Sequence, residues 1–198
     1  SATLRRHVAQ TPAVPGPILV RTRGTWGEPL VDVPCHARAG LVGPTGAAIV
    51  SQADAPRVHA ETVEEWRDWL AEHPGDAKGV WLVTWRRPTG RPAPSYEEQI
   101  TEALRVGWVD STGKRLDDER TMLYFSRRRP GSQWARTNKE RVARLEAEGR
   151  MLPAGQAVID RARDDGSWTL LDDVERLVVP ADLAAAFDRY DGARDEWE

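Results

Sequence analysis

The chain has 198 residues, 40% apolar and 30% charged, with a net charge of −3; this is the balance of one globular domain, long enough to bury a core and not disordered throughout. A single cysteine, Cys35, excludes an internal disulfide framework and points to a reducing compartment. No run approaches the roughly 18 apolar residues of a membrane span, and the apolar stretch at 14–20 is too short and proline-rich for a leader core, so no membrane insertion and a cytoplasmic location are expected.

Charge is divided along the chain. Residues 114–150 hold eleven Lys/Arg against six Asp/Glu, net +5, whereas residues 160–198 hold five against twelve, net −7. These segments are expected to face each other or solvent, and nucleic acid is not the expected partner of the chain as a whole. Nine tryptophans against two phenylalanines imply rings that fill a core or line a recognition surface, the core reading being preferred.

Residues 1–60 carry thirteen of the thirty Gly and Pro residues and only three acidic side chains. Stretches 17–21, 30–33 and 47–51 read as short strands between turn clusters, or else the segment is a poorly ordered extension. Thr62 and Glu65 form a capping-box pattern, followed by Val63, Trp66, Trp69 and Leu70 on one helical face. Residues 79–87 are apolar on both faces, the pattern of a strand buried on both sides. Ser95 and Glu98 open a second helix with an apolar stripe through Ile100, Ala103 and Leu104. Stretches 108–110 and 121–127 read as two strands joined by a long polar loop.

Ser132 is expected to cap a helix running to about Glu148, with Glu140 and Arg144 paired along it and Gly149 as its stop. Pro153 opens another helix that ends at Gly166, and Pro180 a last one with Leu183, Phe187 and Tyr190 at helical spacing. The expected fold class is α+β: a small antiparallel sheet packed by several helices, with a helical C-terminal half. Two regions are expected, a Gly/Pro-rich extension at 1–60 and an α+β domain at 61–198.

Most chemical motifs are absent. The glycine-rich run at 40–46 lacks the lysine and hydroxyl of a phosphate loop and reads as a turn. His7, His36, His59 and His73 stand at no metal-ligand spacing, so neither a metal nor a cofactor is expected. The carboxylate pairs 117/118, 164/165 and 172/173 point apart as sequence neighbours and suit turns and caps.

One region concentrates what remains. Arg127, Arg128 and Arg129 end a strand just before Ser132, and a helix start beside guanidinium forks is a physically sensible anion site. The competing reading is that Arg128 pairs internally and the others are solvated. Asp110 follows a buried strand, where an ion pair and a site role perturb a carboxylate alike. Trp108 and Trp134 suit a core, while Asn138, on the face of Trp134, needs polar partners or a ligand.

Several segments together resemble the YdeI/OmpD-associated family, also called bacteriocin-protection proteins, over about residues 61–198. They are Glu64-Glu65-Trp66-Arg67-Asp68-Trp69-Leu70, Gly79-Val80-Trp81-Leu82, Ser95-Tyr96-Glu97-Glu98, the stretch at 102–110, the segment at 127–138, and Gly149-Arg150-Met151-Leu152-Pro153-Ala154-Gly155. Arg105 stands where that family often has cysteine, and residues 191–198 look like the beginning of a further helical segment, absent here. The resemblance implies a small α+β cytoplasmic protein with no known cofactor, linked to stress or antimicrobial-peptide resistance, and carries over no catalytic residue.

The leading functional expectation is a ligand-binding protein in which Trp108, Asp110, Arg127, Arg128, Ser132, Trp134 and Asn138 form a pocket for a small anionic or peptide-like ligand. Two others stand beside it: an enzyme using Asp110 as base beside an Arg-lined site, and nucleic-acid binding through residues 114–150 with tryptophan stacking.

Overall fold

A computed structural model of the protein describes residues 18–22, 25–27, 52–73, 79–190 and 192–197. In chain order its elements are β1 (Ile18–Thr22), β2 (Thr25–Gly27), β3 (Arg57–His59), α1 (Val63–Glu72), β4 (Val80–Trp85), α2 (Tyr96–Arg105), β5 (Trp108–Arg115), β6 (Arg120–Arg127), α3 (Arg136–Ala147), α4 (Pro153–Asp164) and three short helices, α5 (Asp172–Glu175), α6 (Ala181–Phe187) and α7 (Ala193–Trp197).

The strand that is apolar on both faces sits inside the sheet, whose order is β2-β1-β3-β4-β6-β5. Val80 and Leu82 point into the main core, with Trp66, Trp69, Trp108, Phe125 and Trp134. Trp81 and Val83 point to the opposite face and pack with Ala55, Met122 and Tyr124. Each fully buried indole removes about 200 Å² from water, roughly 4 kcal/mol of transfer free energy, so the tryptophans dominate the burial.

The class is α+β with a helical C-terminal half, but the sheet is mixed. β1 and β3 pair in parallel, as do β3 and β4, and the antiparallel pairs are β1–β2, β4–β6 and β5–β6. Pairing of β3 with β4 carries the sheet across residue 60, and Arg21 of β1 forms an ion pair with Asp68 of α1. The stretch expected as a strand at 17–21 corresponds to β1; those at 30–33 and 47–51, the turn at 40–46, and Cys35 lie outside the described residues.

The β5–β6 hairpin is longer than its apolar pattern implies, because the polar residues 111–115 continue the strand and leave a short connection. Asp117 closes that connection by accepting from the N–H groups of Glu119 (3.0 Å) and Arg120 (2.7 Å). Both capping boxes form: Thr62 with Glu65 at α1, Ser95 with Glu98 at α2. α4 packs closely on α2, where a Cβ on Gly155 would lie 2.3 Å from the Arg105 carbonyl oxygen, so only glycine fits there.

Glu102 of α2 locks the helices together. It is 3% exposed and accepts from Arg67 of α1 at 3.0 and 3.1 Å, from Arg150 after α3 at 2.8 Å, and from Arg105. Desolvation pushes its carboxyl up, and the arginine hydrogen bonds outweigh that, holding it below the usual 4.5. A depressed carboxylate stabilises the fold above its unfolded value, and the contribution is lost as pH falls from 4.5 through the lower folded value. Glu102→Gln keeps the shape and strands three guanidinium groups. We expect it to cost about 3 kcal/mol in urea unfolding at pH 7 and to reduce the wild-type loss of stability below pH 4.5, to which the depressed carboxyls of Glu97 and Asp117 also contribute; an unchanged acid limb would refute the assignment.

Candidate functional site

The seven residues expected to form a pocket are divided by the fold. Trp108 and Trp134 are core side chains, 0% and 1% exposed, with Trp108 edge-on to Trp69 at 6.0 Å. Arg127 ends β6, exposed and opposite Trp108 in the ladder. Arg128 turns inward. Its backbone N–H donates to the Gly107 carbonyl (3.0 Å), its Nη1 donates to the Gln133 carbonyl (2.8 Å), and its guanidinium lies 3.8 Å over the Trp134 ring. Desolvation lowers its pKa to about 10, opposed by the more distant charge of Asp110. Asp110 accepts from the Tyr96 hydroxyl at 3.0 Å. Burial and the neighbouring Asp110 charge raise the Tyr96 pKa.

Ser132 does not cap α3. Its N–H closes a turn onto the Arg129 carbonyl (3.2 Å), and the helix starts four residues later, with Ala135 at the N-cap position. The intervening extended stretch sends Trp134 into the core and the Gln133 carbonyl to Arg128, which a helix from Ser132 would prevent. The free end of α3 is instead met by Glu175, whose carboxylate accepts from the Arg136 N–H at 2.9 and 3.0 Å. An external anion therefore finds that helix start occupied by a residue from α5.

Asn138 Oδ1 accepts from Arg141 (2.9 Å), and Arg141 in turn donates to Glu97 at 3.0 and 2.7 Å. Arg144 also reaches Glu97 rather than Glu140, which lies 4.0 Å from Arg136. Asn138 thus serves a surface network joining α2 to α3. Many cations of the basic segment are spent similarly: Arg115 on Asp118, Arg120 on Asp117, Lys139 on Asp172, and Arg150 on Glu102 and Glu148. The acidic and basic segments do face each other at Lys139–Asp172 and at Arg163–Glu146.

The large concave space lies beyond Tyr96, at the end of β4. A cleft of about 590 Å³ is walled by Thr84, Trp85, Arg86, Arg87, Arg91, Pro94, Ser95, Tyr96, Gln99 and Thr121. β4 delivers Trp85 to its rim, a 3-10 turn at Arg87–Thr89 reverses the chain, and the proline-rich stretch to Pro94 brings it back to the start of α2. The Arg91 guanidinium lies 4.2 Å over the Trp85 ring, and that of Arg120 lies 5.9 Å from it. The indole N–H donates to Glu61 at 2.8 Å, and His59 packs edge-on to the same ring at 4.7 Å. Burial lowers the pKa of His59, which favours its neutral form.

Arg86 donates to the Asp118 carbonyl (2.8 Å) and Arg91 meets Glu119 at 3.4 Å, while the Arg87 side chain has no hydrogen-bond or ion-pair partner among the described residues. The sequence signal for this cleft was the cluster Trp85, Arg86, Arg87 and Arg91 around prolines directly after a core strand. It was hidden because nothing local says that β4 ends beside the start of α2.

Residues 58–158 match the family model described as a domain of unknown function, DUF8412. The chain belongs to the DUF8412 family. No curated protein matches the chain, and no solved structure does. The expected membership of the YdeI/OmpD-associated family is corrected by this match. The segments that carried it are a capping box and buried tryptophans, which meet general demands of helix starts and close-packed cores rather than marking one family. The expectations of a stress-resistance role and of a further C-terminal segment rested on that resemblance alone.

The cleft lies wholly inside the DUF8412 span. Among the described residues, no group of three His, Cys, Asp or Glu is placed to hold a metal ion, and no helix is long and apolar enough to cross a membrane.

Glu97 tests how much the α2–α3 network contributes. Its carboxyl is held below the usual value first by the Arg141 hydrogen bond, yet it is half exposed. Glu97→Gln is therefore expected to change unfolding free energy by less than about 1 kcal/mol, well below the Glu102 variant, when both are measured in the same urea titration.

Proposed function

We propose that this DUF8412 chain is a binding protein for a small anionic ligand that carries a flat apolar group, with the cleft between the end of β4 and the start of α2 as its site. The observation that carries this is the meeting of three guanidinium groups with Trp85 and Tyr96 around one space of about 590 Å³. That volume is in the usual range for small-molecule sites. Guanidinium forks match carboxylate and phosphate oxygens, and an indole or phenol face accepts a planar group. The Arg87 side chain, without a partner among the described residues, is the natural first contact, and Arg91 can exchange its exposed pair with Glu119 for the ligand at little cost, since such pairs contribute little.

An Arg/Trp-lined anion site of the kind expected at Arg128 and Trp134 would thus be formed by Arg87, Arg91 and Trp85. A base role for Asp110 gains no support from its position, because that carboxylate is engaged by the Tyr96 hydroxyl and is not among the residues that wall the cleft.

Phenyl phosphate at low ionic strength is a suitable probe. It should raise the melting temperature of the wild-type protein, as any ligand of the folded state does. Arg91→Ala and Arg87→Ala should each weaken binding about tenfold, or about 1.4 kcal/mol, in titration calorimetry, and added salt should weaken it further. Binding of equal strength in both variants would place the site elsewhere, and absence of binding to phenyl phosphate in the wild type would reject this ligand class.

A further inference from the structure

We infer that the ligand of the cleft carries, besides its anionic end, a hydrogen-bond donor such as a phenolic hydroxyl, received by Gln99 and Thr84. The inference rests on the reading of the cleft as a site for a flat anion. Thr84 lies near the end of β4, two residues beyond Leu82, so strand alternation sets its side chain on the sheet face of the main core. Gln99 comes from the N-terminal half of α2. The Ser95 capping box fixes that helix start, and the Gln99 backbone carbonyl accepts from Trp66 Nε1 at 3.1 Å. Both side chains line the cleft, and both are nine-tenths buried, at 4% and 8% exposed.

The other neutral polar side chains of the cleft already have partners. Ser95 Oγ accepts from the Glu98 N–H at 3.3 Å, the Tyr96 hydroxyl donates to Asp110, and the Thr121 hydroxyl donates to the Lys114 carbonyl at 3.0 Å. Gln99 Nε2 donates to the Pro94 carbonyl at 2.9 Å. A carbonyl needs a donor, so this contact fixes the orientation of the amide and turns its oxygen away from Pro94. Among the described residues, neither that oxygen nor the Thr84 hydroxyl has a hydrogen-bond partner.

Their chemistry selects the ligand. An amide oxygen only accepts, whereas a threonine hydroxyl accepts or donates. In a cleft open to water such groups are hydrated, and a flat ligand seated against Trp85 displaces that water. A ligand without a donor then leaves a buried acceptor unpaired, which is penalised more heavily than a hydrogen bond is rewarded. A hydroxyl on the flat group meets the need, because it donates to Gln99 and accepts from Thr84. The three arginines thus read the charge, and Gln99 and Thr84 read the donor.

The test compares 3- and 4-hydroxyphenyl phosphate with the matching methoxyphenyl phosphates, which keep the oxygen and lack the donor, by titration calorimetry. At least one hydroxyl compound should bind the wild-type protein about tenfold more tightly than its methoxy counterpart. Thr84→Val, which keeps the shape, and Gln99→Met should each bring that ratio down toward one. Should one variant not fold, the other decides. A wild-type ratio near one for both isomers, or a ratio that persists in the variants, would overturn the inference and leave the anion site standing if the compounds bind. Absence of binding by all four compounds and by phenyl phosphate would remove the anion site itself, and this inference with it.

Discussion

The helical layer takes its position from one buried carboxylate. Glu102 on α2 is reached by Arg67 from α1, by Arg105 from its own helix and by Arg150 from the chain leaving α3, so three segments distant in sequence meet at a single charge. Desolvating a carboxylate costs several kcal/mol, and the arginines must recover it with near-ideal geometry. An apolar residue of similar size would fill the space, yet it would accept helices at many offsets, whereas hydrogen bonds to two oxygens accept few. The consequence reaches the cleft and the start of α4. α1 and α2 are held over the sheet with Tyr96 beside the end of β4, and the link through Arg150 fixes where α4 begins.

Around that fixed point the tryptophans divide according to what happens to their N–H groups. Trp66 donates to the Gln99 carbonyl at 3.1 Å, tying α1 to α2, and Trp81 donates to the Gln52 carbonyl at 2.6 Å on the opposite face. Trp69, Trp108 and Trp134 are buried with the N–H unpartnered. For Trp69 and Trp108, edge-to-face packing offsets part of that loss. Trp134 differs, because a cation covers its face and its N–H group lacks an acceptor.

Legibility followed the range of the interaction. The capping boxes at Thr62 and Ser95, the proline start of α4 and the two-sided strand at Val80–Trp85 depend on residues within one or two turns, and they were visible before any coordinates. The parallel pairing of β1, β3 and β4 depends on edges that carry no side-chain signature. Ser132 failed as a cap for a similar reason: the local pattern was adequate, but burying Trp134 and satisfying Arg128 required an extended chain. Arg128 was legible as an unusual residue, and its stacking on Trp134 needs the fold. The cleft was illegible because no local pattern shows that the turn and proline-rich stretch after β4 return the start of α2 to the end of the strand.

The charge division also changes meaning once the helices are placed. Lys139 and Asp172, Glu146 and Arg163, and the Arg136 N–H with Glu175 show the basic and acidic segments closing on each other, so the net +5 of residues 114–150 is not a free positive surface. Surface pairs like these contribute little each, but they do decide which cations remain for a ligand. Arg86, Arg87 and Arg91 belong to neither segment, so their charge was invisible in a tally by halves. Local pairing, rather than net charge, therefore decides which cations are left over, and the Arg87 side chain beside the open cleft is one with no partner among the described residues.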